Sequence, residues 1–343
     1  MKAAVLVEQN QPLVLAEIEL PAVLTPGQVM VEIQFSGICG SQLGEIDGVK
    51  GPDKYLPHLL GHEGSGVVLN TGPGVKKVKA GDKVVLHWRK SSGIESDTPV
   101  YSWDGRPVNS GWITTFNECA VISENRLTRI PDDSEMDVAA LFGCAVTTGF
   151  GVVVNNANLK PGESVVIFGA GGIGLNMVQA AAMVSAFPVI AVDLYDEKLS
   201  LARKMGATHT VNARDENAEE AIRKIMNGTG LDVFVDNTGN TKIIEAGYAL
   251  TADQGRVILV GVPRKGDKIS FYSLPLHFGK IITGSHGGEA DPDRDIPRYQ
   301  RLYAIGRLNL KELITQSFSL DEINEAIDGV RNGAVSGRCI IKM

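Results

Sequence analysis

The chain has 343 residues, of which 43% are hydrophobic and 21% charged, and its formal net charge is −7 at pH 7. This length predicts two domains rather than one small core. The acidic balance argues against nucleic acid as the main partner, because phosphate backbones are bound by positive surfaces.

Residues 1–146 are predicted to form a mostly β domain, because short runs of alternating character such as Val29–Ile33 are separated by turn residues. The first residues have the pattern of a strand interrupted by charge, which is not that of a secretion signal. The most apolar run, Ala180–Val192, contains Pro188 and is too short to span a bilayer. We therefore expect no membrane association.

Three potential zinc ligands lie in glycine-rich segments of this domain: Cys39 in 37–41, His62 in 61–66 and Cys144 in 143–149. Two thiolates and an imidazole leave a fourth position open, which is the layout of a catalytic rather than a structural zinc site. The spacing alone is weak evidence, because a lone cysteine or histidine is usually structural. Glu63, next to His62, is interpreted as a neighbouring carboxylate or as a ligand that exchanges with water.

The other two cysteines, Cys119 and Cys339, lie in strand-like runs and are predicted to be structural. None of the four cysteines belongs to a disulfide pattern of a secreted protein. We therefore expect a cytoplasmic protein, whose thiols stay reduced and available to metal.

The pattern changes after residue 164, where apolar runs begin to alternate with helical stretches. This alternation predicts βαβ units on a parallel sheet, within a domain at 147–288. The predicted strands are 164–168, 188–192, 231–235 and 256–260, and the predicted helices lie near 173–186, 197–205, 215–227 and 240–250. The remaining residues, 289–343, are predicted to form two helices and a final strand at 339–341.

A nucleotide-binding motif joins the first of these strands to its helix, in the order that a Rossmann fold requires. In this pattern Gly169 makes the tight turn, Gly171 lets a pyrophosphate approach the backbone, and Gly174 lets the helix pack on the strand. The residues that complete the motif and open the helix are Gly172 and Ile173.

An acidic residue, Asp193, follows the next strand, where a carboxylate accepts hydrogen bonds from an adenosine ribose and repels a 2′-phosphate. The motif therefore favours NAD over NADP. Lys198 is interpreted either as a contact to the ribose or as a solvated helix lysine.

The chain closely resembles the zinc-containing medium-chain alcohol dehydrogenases over essentially its whole length. The matching motifs are the glycine-rich segments 37–41, 61–66 and 143–149, the segment Gly81–Val85, the nucleotide motif at 169–174 and the acid at 193. The resemblance implies an α/β protein with a GroES-like β domain, a Rossmann doubly wound parallel-sheet domain, and a C-terminal return to the first domain. It also implies one catalytic Zn²⁺ on Cys39, His62 and Cys144, with Glu63 as the neighbouring acid.

The same resemblance implies roles for five further residues or segments. Ser41 matches the hydroxyl group that takes the alcohol proton, and Thr148 and Val260 match residues beside the nicotinamide of NAD. Arg338 lies near the position of an arginine that contacts the pyrophosphate. Residues 269–284 match the edge through which family members form homodimers or homotetramers.

Three departures from the family pattern affect the prediction. No cysteine occurs between His87 and Trp112, so we expect no structural zinc and a polar loop that is held by other means. Gln42 replaces an aspartate, and it either orients His62 without adding a negative charge, which would make the zinc more acidic, or points to solvent. Gly44 replaces a histidine of the proton relay, so the relay ends at Ser41 or uses another group.

The sequence therefore predicts an NAD-dependent oxidoreductase that interconverts an alcohol and a ketone or aldehyde, with zinc as a Lewis acid. Trp88 and the polar side chains between His87 and Asn109 favour a polyol, sugar or cyclitol, unless this segment is only a solvated loop. One alternative is a zinc-free NADPH-dependent quinone or enoyl reductase of the same superfamily. Another is a non-catalytic NAD-binding protein.

Overall fold

The structure is a computed structural model that describes residues 1–343, and its internal contacts divide the chain into two units. The first unit comprises Met1–Ala145 together with Asp291–Met343, and the second comprises Val146–Ala290. The C-terminal residues therefore pack with the N-terminal ones.

Eighteen strands belong to these units. In chain order they are β1 (Lys2–Leu6), β2 (Val14–Glu17), β3 (Gln28–Gly37), β4 (His58–Leu59), β5 (Glu63–Thr71), β6 (Lys83–His87), β7 (Val100–Trp103), β8 (Arg106–Asn109), β9 (Cys119–Ser123), β10 (Leu127–Arg129), β11 (Val165–Phe168), β12 (Val189–Asp193), β13 (His209–Asn212), β14 (Leu231–Asp236), β15 (Thr251–Leu259), β16 (Ile281–Gly284), β17 (Ile314–Ser319) and β18 (Arg338–Lys342).

The α-helices are short, and the longest of them, α8, has 13 residues. In chain order they are α1 (Gly40–Ile46), α2 (Met136–Ala140), α3 (Ala145–Gly151), α4 (Gly172–Met183), α5 (Asp196–Lys204), α6 (Ala218–Ile225), α7 (Thr241–Leu250), α8 (Pro292–Ala304) and α9 (Ile323–Arg331). None of them alone is long and apolar enough to cross a membrane, and one bent pair, 136–143 with 145–156, meets that test by length and composition only.

The first unit is built on two sheets, whose strand orders are β2-β1-β4-β8-β7 and β10-β6-β5-β3-β18-β17, with β9 also paired to β3. Along β3 the buried residues Val29, Val31 and Ile33 alternate with more exposed ones, so one face of the strand packs into the core. The last strand, β18, pairs antiparallel with β3, which secures the C-terminal segment to this unit.

The second unit contains a six-stranded parallel sheet in the order β13-β12-β11-β14-β15-β16. Each strand and helix predicted between residues 164 and 260 is present, within a few residues of its predicted ends, except that β15 already begins at Thr251. The chain order reverses between β11 and β14. In open parallel sheets of this kind, ligands bind beyond the carboxyl ends of the strands at that reversal.

Candidate active site

Sulfur and nitrogen donors converge where β3 ends and β5 begins. Cys39 is the N-cap of α1, shortly after β3, and His62 directly precedes β5. Because the two strands are antiparallel, with Ser36 opposite Gly64, the end of one meets the start of the other. The donor atoms of Cys39, His62 and Cys144 all lie within 4.8 Å of one another.

A glycine delivers the third donor to this cluster. A Cβ at Gly143 would lie 2.3 Å from the carbonyl oxygen of Leu86 and 2.9 Å from the Cα of Glu63. No other residue fits so close to two backbones, and Cys144 follows immediately. The structure thus brings together the three residues that the sequence singled out as ligands.

The donor set suits zinc. Two sulfurs and one imidazole form a known catalytic zinc ligand set, with a fourth position left open. The Nε2 of His62 and the Oγ of Ser41 are both buried and have no hydrogen-bond partner. Buried polar atoms are seldom left unpaired, so these two atoms mark a place where further ligands belong.

The electrostatics of the cluster favour one thiolate next to an imidazole. The interaction with Cys144 lowers the pKa of Cys39 well below its usual range, although burial opposes this change. The same pair interaction raises the pKa of Cys144. Burial disfavours a charged His62 ring, but the nearby Cys39 sulfur raises the pKa of His62 overall. A divalent cation would replace the proton that these groups share.

Gln42 contacts two of the ligand residues. Its side chain is only 1% exposed, its Oε1 accepts a hydrogen bond from the Cys39 N–H at 3.2 Å, and its Nε2 lies against Nδ1 of His62. Gln42 therefore orients His62, as the first interpretation of this position predicts, and the interpretation that it points to solvent is wrong.

Glu63 and Arg338, which the sequence assigned to separate tasks, form a buried ion pair. Their nitrogen and oxygen atoms are 2.8 Å apart, and Glu63 also accepts from the N–H of Ala145 at 3.0 Å. Burial raises the pKa of Glu63, although Arg338 opposes this change. The carboxylate is not part of the donor cluster.

Arg338 uses both of its terminal nitrogens within the first unit. One donates to the carbonyl oxygen of Ile38 at 2.8 Å, and the other donates to Glu63. Its contact with a pyrophosphate stays a prediction. The two hydrogen bonds compete with that contact, because they already use both terminal nitrogens of the guanidinium.

Protein hydrogen bonds hold the loop that lacks cysteines. The carboxylate of Glu124 accepts from the backbone N–H groups of Lys76, Lys77 and Ile94 at 2.6 to 2.8 Å. The guanidinium of Arg126 pairs with Glu95 at 3.0 Å and lies 4.7 Å from the centre of the Trp112 ring. Glu124 and Arg126, in the turn between β9 and β10, therefore anchor the loop.

Several polar groups expected to meet a hydroxylated substrate are bonded within the protein instead. His87 contacts the Arg89 carbonyl at 2.6 Å, and the hydroxyl of Ser91 donates to Asp291 at 2.7 Å. The Tyr101 hydroxyl accepts a hydrogen bond from the N–H of Val121 at 2.9 Å, and the side-chain amide of Asn109 donates to the Tyr55 carbonyl at 2.7 Å. These groups therefore no longer support the hypothesis of a polyol, sugar or cyclitol substrate.

The geometry of the nucleotide motif agrees with the roles predicted for Gly169 and Gly174. Gly169 has a φ of +100°, which favours glycine, and a Cβ at Gly174 would lie 2.0 Å from the Gly169 carbonyl oxygen. A Cβ at Gly171 would meet no protein atom within 4 Å, so the space next to it is open to a ligand. Gly172 and Ile173 begin α4, whose N-terminus can bind phosphate.

Asp193, at the end of β12, supports this loop. Its Oδ2 accepts from the N–H of Ala170 and its Oδ1 from that of Leu194, both at 2.8 Å. Lys198 lies 4.9 Å from the centre of the Tyr195 ring, and Arg214 lies 4.8 Å from it.

Sequence reasoning missed Arg214, because it does not follow the acid directly. It comes two residues after Asn212, which pairs with Asp193 across the parallel strands β12 and β13. The one available signal was that the carboxyl ends of neighbouring parallel strands meet at the same edge of the sheet.

The two residues predicted to lie beside the nicotinamide also belong to the second unit. Thr148 is buried on α3, and the N–H of Val260, just after β15, donates to the Asp236 carbonyl at 2.8 Å. Their contacts with a coenzyme stay predictions.

Comparison with known proteins gives family matches in both units. Residues 25–132 match the alcohol dehydrogenase GroES-like domain, and residues 172–303 match the zinc-binding dehydrogenase domain. A similar protein is an S-(hydroxymethyl)glutathione dehydrogenase of Paracoccus denitrificans, which is 33% identical over 97% of both chains. An alcohol dehydrogenase class-3 of Cereibacter sphaeroides is 32% identical, again over 97% of both chains.

Solved structures show the same likeness. A benzyl alcohol dehydrogenase of Acinetobacter calcoaceticus matches with a TM-score of 0.90 and 28% identity, over 100% of this chain and 99% of the other. An alcohol dehydrogenase zinc-binding domain protein of Burkholderia ambifaria matches with the same score and identity, over 100% and 98%.

Proposed function

This chain belongs to the zinc-containing medium-chain alcohol dehydrogenase family and is an alcohol oxidoreductase, and we propose that Cys39, His62 and Cys144 hold its catalytic zinc. The observation that carries the proposal is the convergence of these donors within 4.8 Å of one another. No disulfide joins any of the four cysteines, which suits the reducing cytoplasm that we propose as the compartment.

The protein contributes placement and proton transfer to the reaction. Zinc, when bound, supplies a Lewis acid that polarises the substrate oxygen. The Oγ of Ser41, which is buried and has no partner, accepts the alcohol proton while its own proton passes on. Gly44, on the same helix α1, has no side chain to extend the relay, so we propose that Ser41 is the last side chain in it.

NAD, which is typical of the family, is the proposed hydride acceptor. The open space next to Gly171 and the N-terminus of α4 support a pyrophosphate site, and the carboxylate of Asp193 supports a ribose without a 2′-phosphate. Thr148 and Val260 are proposed to contact the nicotinamide, and Lys198 the ribose.

A substrate screen with a matched mutant tests this function. The chain should contain about one zinc ion and turn over NAD, more efficiently than NADP, with at least one aliphatic, aromatic or cyclic alcohol or S-(hydroxymethyl)glutathione. Ser41→Ala should lower kcat about 100-fold without loss of zinc, whereas Ser317→Ala on β17 should change neither.

Two results would contradict the proposal. Zinc and NADH binding without turnover of any alcohol would indicate a non-catalytic NAD-binding protein. A zinc-free chain that reduces quinones or enones with NADPH would indicate the other reductase class.

We also propose self-association through the edge of the parallel sheet, as a homodimer or homotetramer. The edge strand β16 has only one neighbour, β15. Ile281, on this strand, is 48% exposed, and Tyr272 and Phe278, which precede it, are 70% and 66% exposed. A strand with one unpaired edge and exposed apolar side chains is suited to pairing with a second copy. Light scattering should give a multiple of 36.6 kDa, and Phe278→Glu with Ile281→Lys should reduce the mass to one chain.

A further inference from the structure

The side chain of Gln42 connects two of the three donor residues. Its amide oxygen accepts from the backbone N–H of Cys39 at 3.2 Å, and its amide nitrogen lies against Nδ1 of His62. At 1% exposure it has no room to exchange either partner for water. The hydrogen-bonding capacities of these groups therefore constrain one another.

Counting donors and acceptors assigns the proton of His62. The N–H of Cys39 can only donate, so the oxygen of the Gln42 amide must face it. The amide nitrogen can only donate, so Nδ1 of His62 must accept. A neutral imidazole that accepts at Nδ1 carries its proton on Nε2, the buried atom that faces the cluster.

This arrangement conflicts with zinc binding. A neutral His62 that binds zinc through Nε2 carries its proton on Nδ1, where it meets the NH₂ group of Gln42. Rotation of the amide would relieve that contact but would turn the NH₂ group towards the N–H of Cys39. A carboxylate at position 42 would accept from both groups.

We propose that Gln42 is a positioning residue that holds His62 in the Nε2-protonated tautomer and thereby lowers the affinity of the cluster for Zn²⁺. The inference rests on the proposed metal centre and adds that this centre exchanges its metal more readily than one with a carboxylate at position 42.

Metal affinity tests the proposal without reference to turnover. Chelator competition should show that Gln42→Glu binds Zn²⁺ about 10- to 100-fold more tightly than the wild type, because the carboxylate accepts from both neighbours. Gln34→Glu, on β3, adds the same charge without contacting His62, and its zinc affinity should match that of the wild type. Equal affinities of Gln42→Glu and the wild type would overturn the inference.

A second measurement uses the wild-type chain and does not depend on the folding of a variant. Spectra of the metal-free chain labelled with ¹⁵N-histidine, with His62→Gln to assign the signals, should show His62 protonated at Nε2. Protonation at Nδ1 would overturn the inference. If neither the wild type nor Gln42→Glu binds zinc, the proposed metal centre falls and this inference falls with it, whereas zinc binding with equal affinities overturns this inference alone.

Discussion

The metal cluster draws its donors from three separated segments, at residues 39, 62 and 144, whereas the nucleotide loop and its acid lie within one strand-helix-strand unit at 165–193. The first depends on antiparallel pairing of β3 with β5 and on the close approach of Gly143. The second depends on the positive φ of Gly169 and on the close approach of Gly174 to the Gly169 carbonyl oxygen. The two regions should therefore respond separately to mutation and to pH.

Removal of a metal ligand is expected to give the largest difference between the metal cluster and the nucleotide loop. Cys144→Ser should abolish zinc binding and lower kcat about 1000-fold or more, because several kcal/mol of Lewis-acid stabilisation are lost. NADH binding, measured by fluorescence, should remain. Cys119→Ser, an equal change in strand β9 away from the cluster, should keep its zinc. Loss of NADH binding in Cys144→Ser would show that the regions are not independent.

Acid should weaken the first unit. Burial lowers the pKa of His87 to about 4, from 6.5, although its bond to the Arg89 carbonyl opposes the shift and the charges of Lys77 and Asp293 offset each other. The unfolded chain therefore binds more protons, and stability should fall by up to about 3 kcal/mol between pH 6.5 and 4.

Tryptophan fluorescence can follow this transition, because Trp88, Trp103 and Trp112 all belong to the first unit. Urea titrations at each pH would give the free energy of unfolding, and its slope against pH should be smaller in His87→Gln. An unchanged slope in that variant would assign the acid sensitivity to other groups.

A change in the glycine loop should affect the opposite region. In Gly174→Ala the new Cβ would lie 2.0 Å from the Gly169 carbonyl, so the loop must shift, and NADH affinity should fall about 100-fold. Zinc content should stay the same. Gly329→Ala on α9, whose Cβ would lie 3.6 Å from Val335 and 3.8 Å from Gln316, is the matched control. Reduced zinc in Gly174→Ala would contradict the separation.

The smallest effect is expected for coenzyme choice. Asp193→Asn removes a charge that repels a 2′-phosphate, and Lys198 and Arg214 lie over the neighbouring Tyr195 ring. The ratio of kcat/KM for NADP over NAD should rise about 10-fold. Adding Arg214→Ala should reverse part of that gain, whereas Asp196→Asn alone should leave the ratio unchanged. If the ratio stayed unchanged both in Asp193→Asn and in Asp193→Asn with Arg214→Ala, Asp193 would have no role in coenzyme selection.

The fold and the identity of the donor residues could be predicted to a large extent, but their partners could not. The βαβ rhythm, the glycine roles and the three donors were all present as local patterns. The Glu63–Arg338 pair joins residues from opposite ends of the chain, and the sequence supplied no signal for it. The sequence likewise carries no signal for the hydrogen bonds within the polar loop, so it leaves open whether that loop faces a substrate or solvent.

By itself, the amino-acid sequence determined where strands, helices and tight turns form, because hydrophobic periodicity and glycine conformation act over a few residues. Only the tertiary structure decided which way Gln42 faces, what neutralises Glu63, and that Arg214 lies near Asp193 on the neighbouring strand β12. These contacts form between residues distant in sequence, and their energies depend on burial and pairing that appear only after the sheets have assembled.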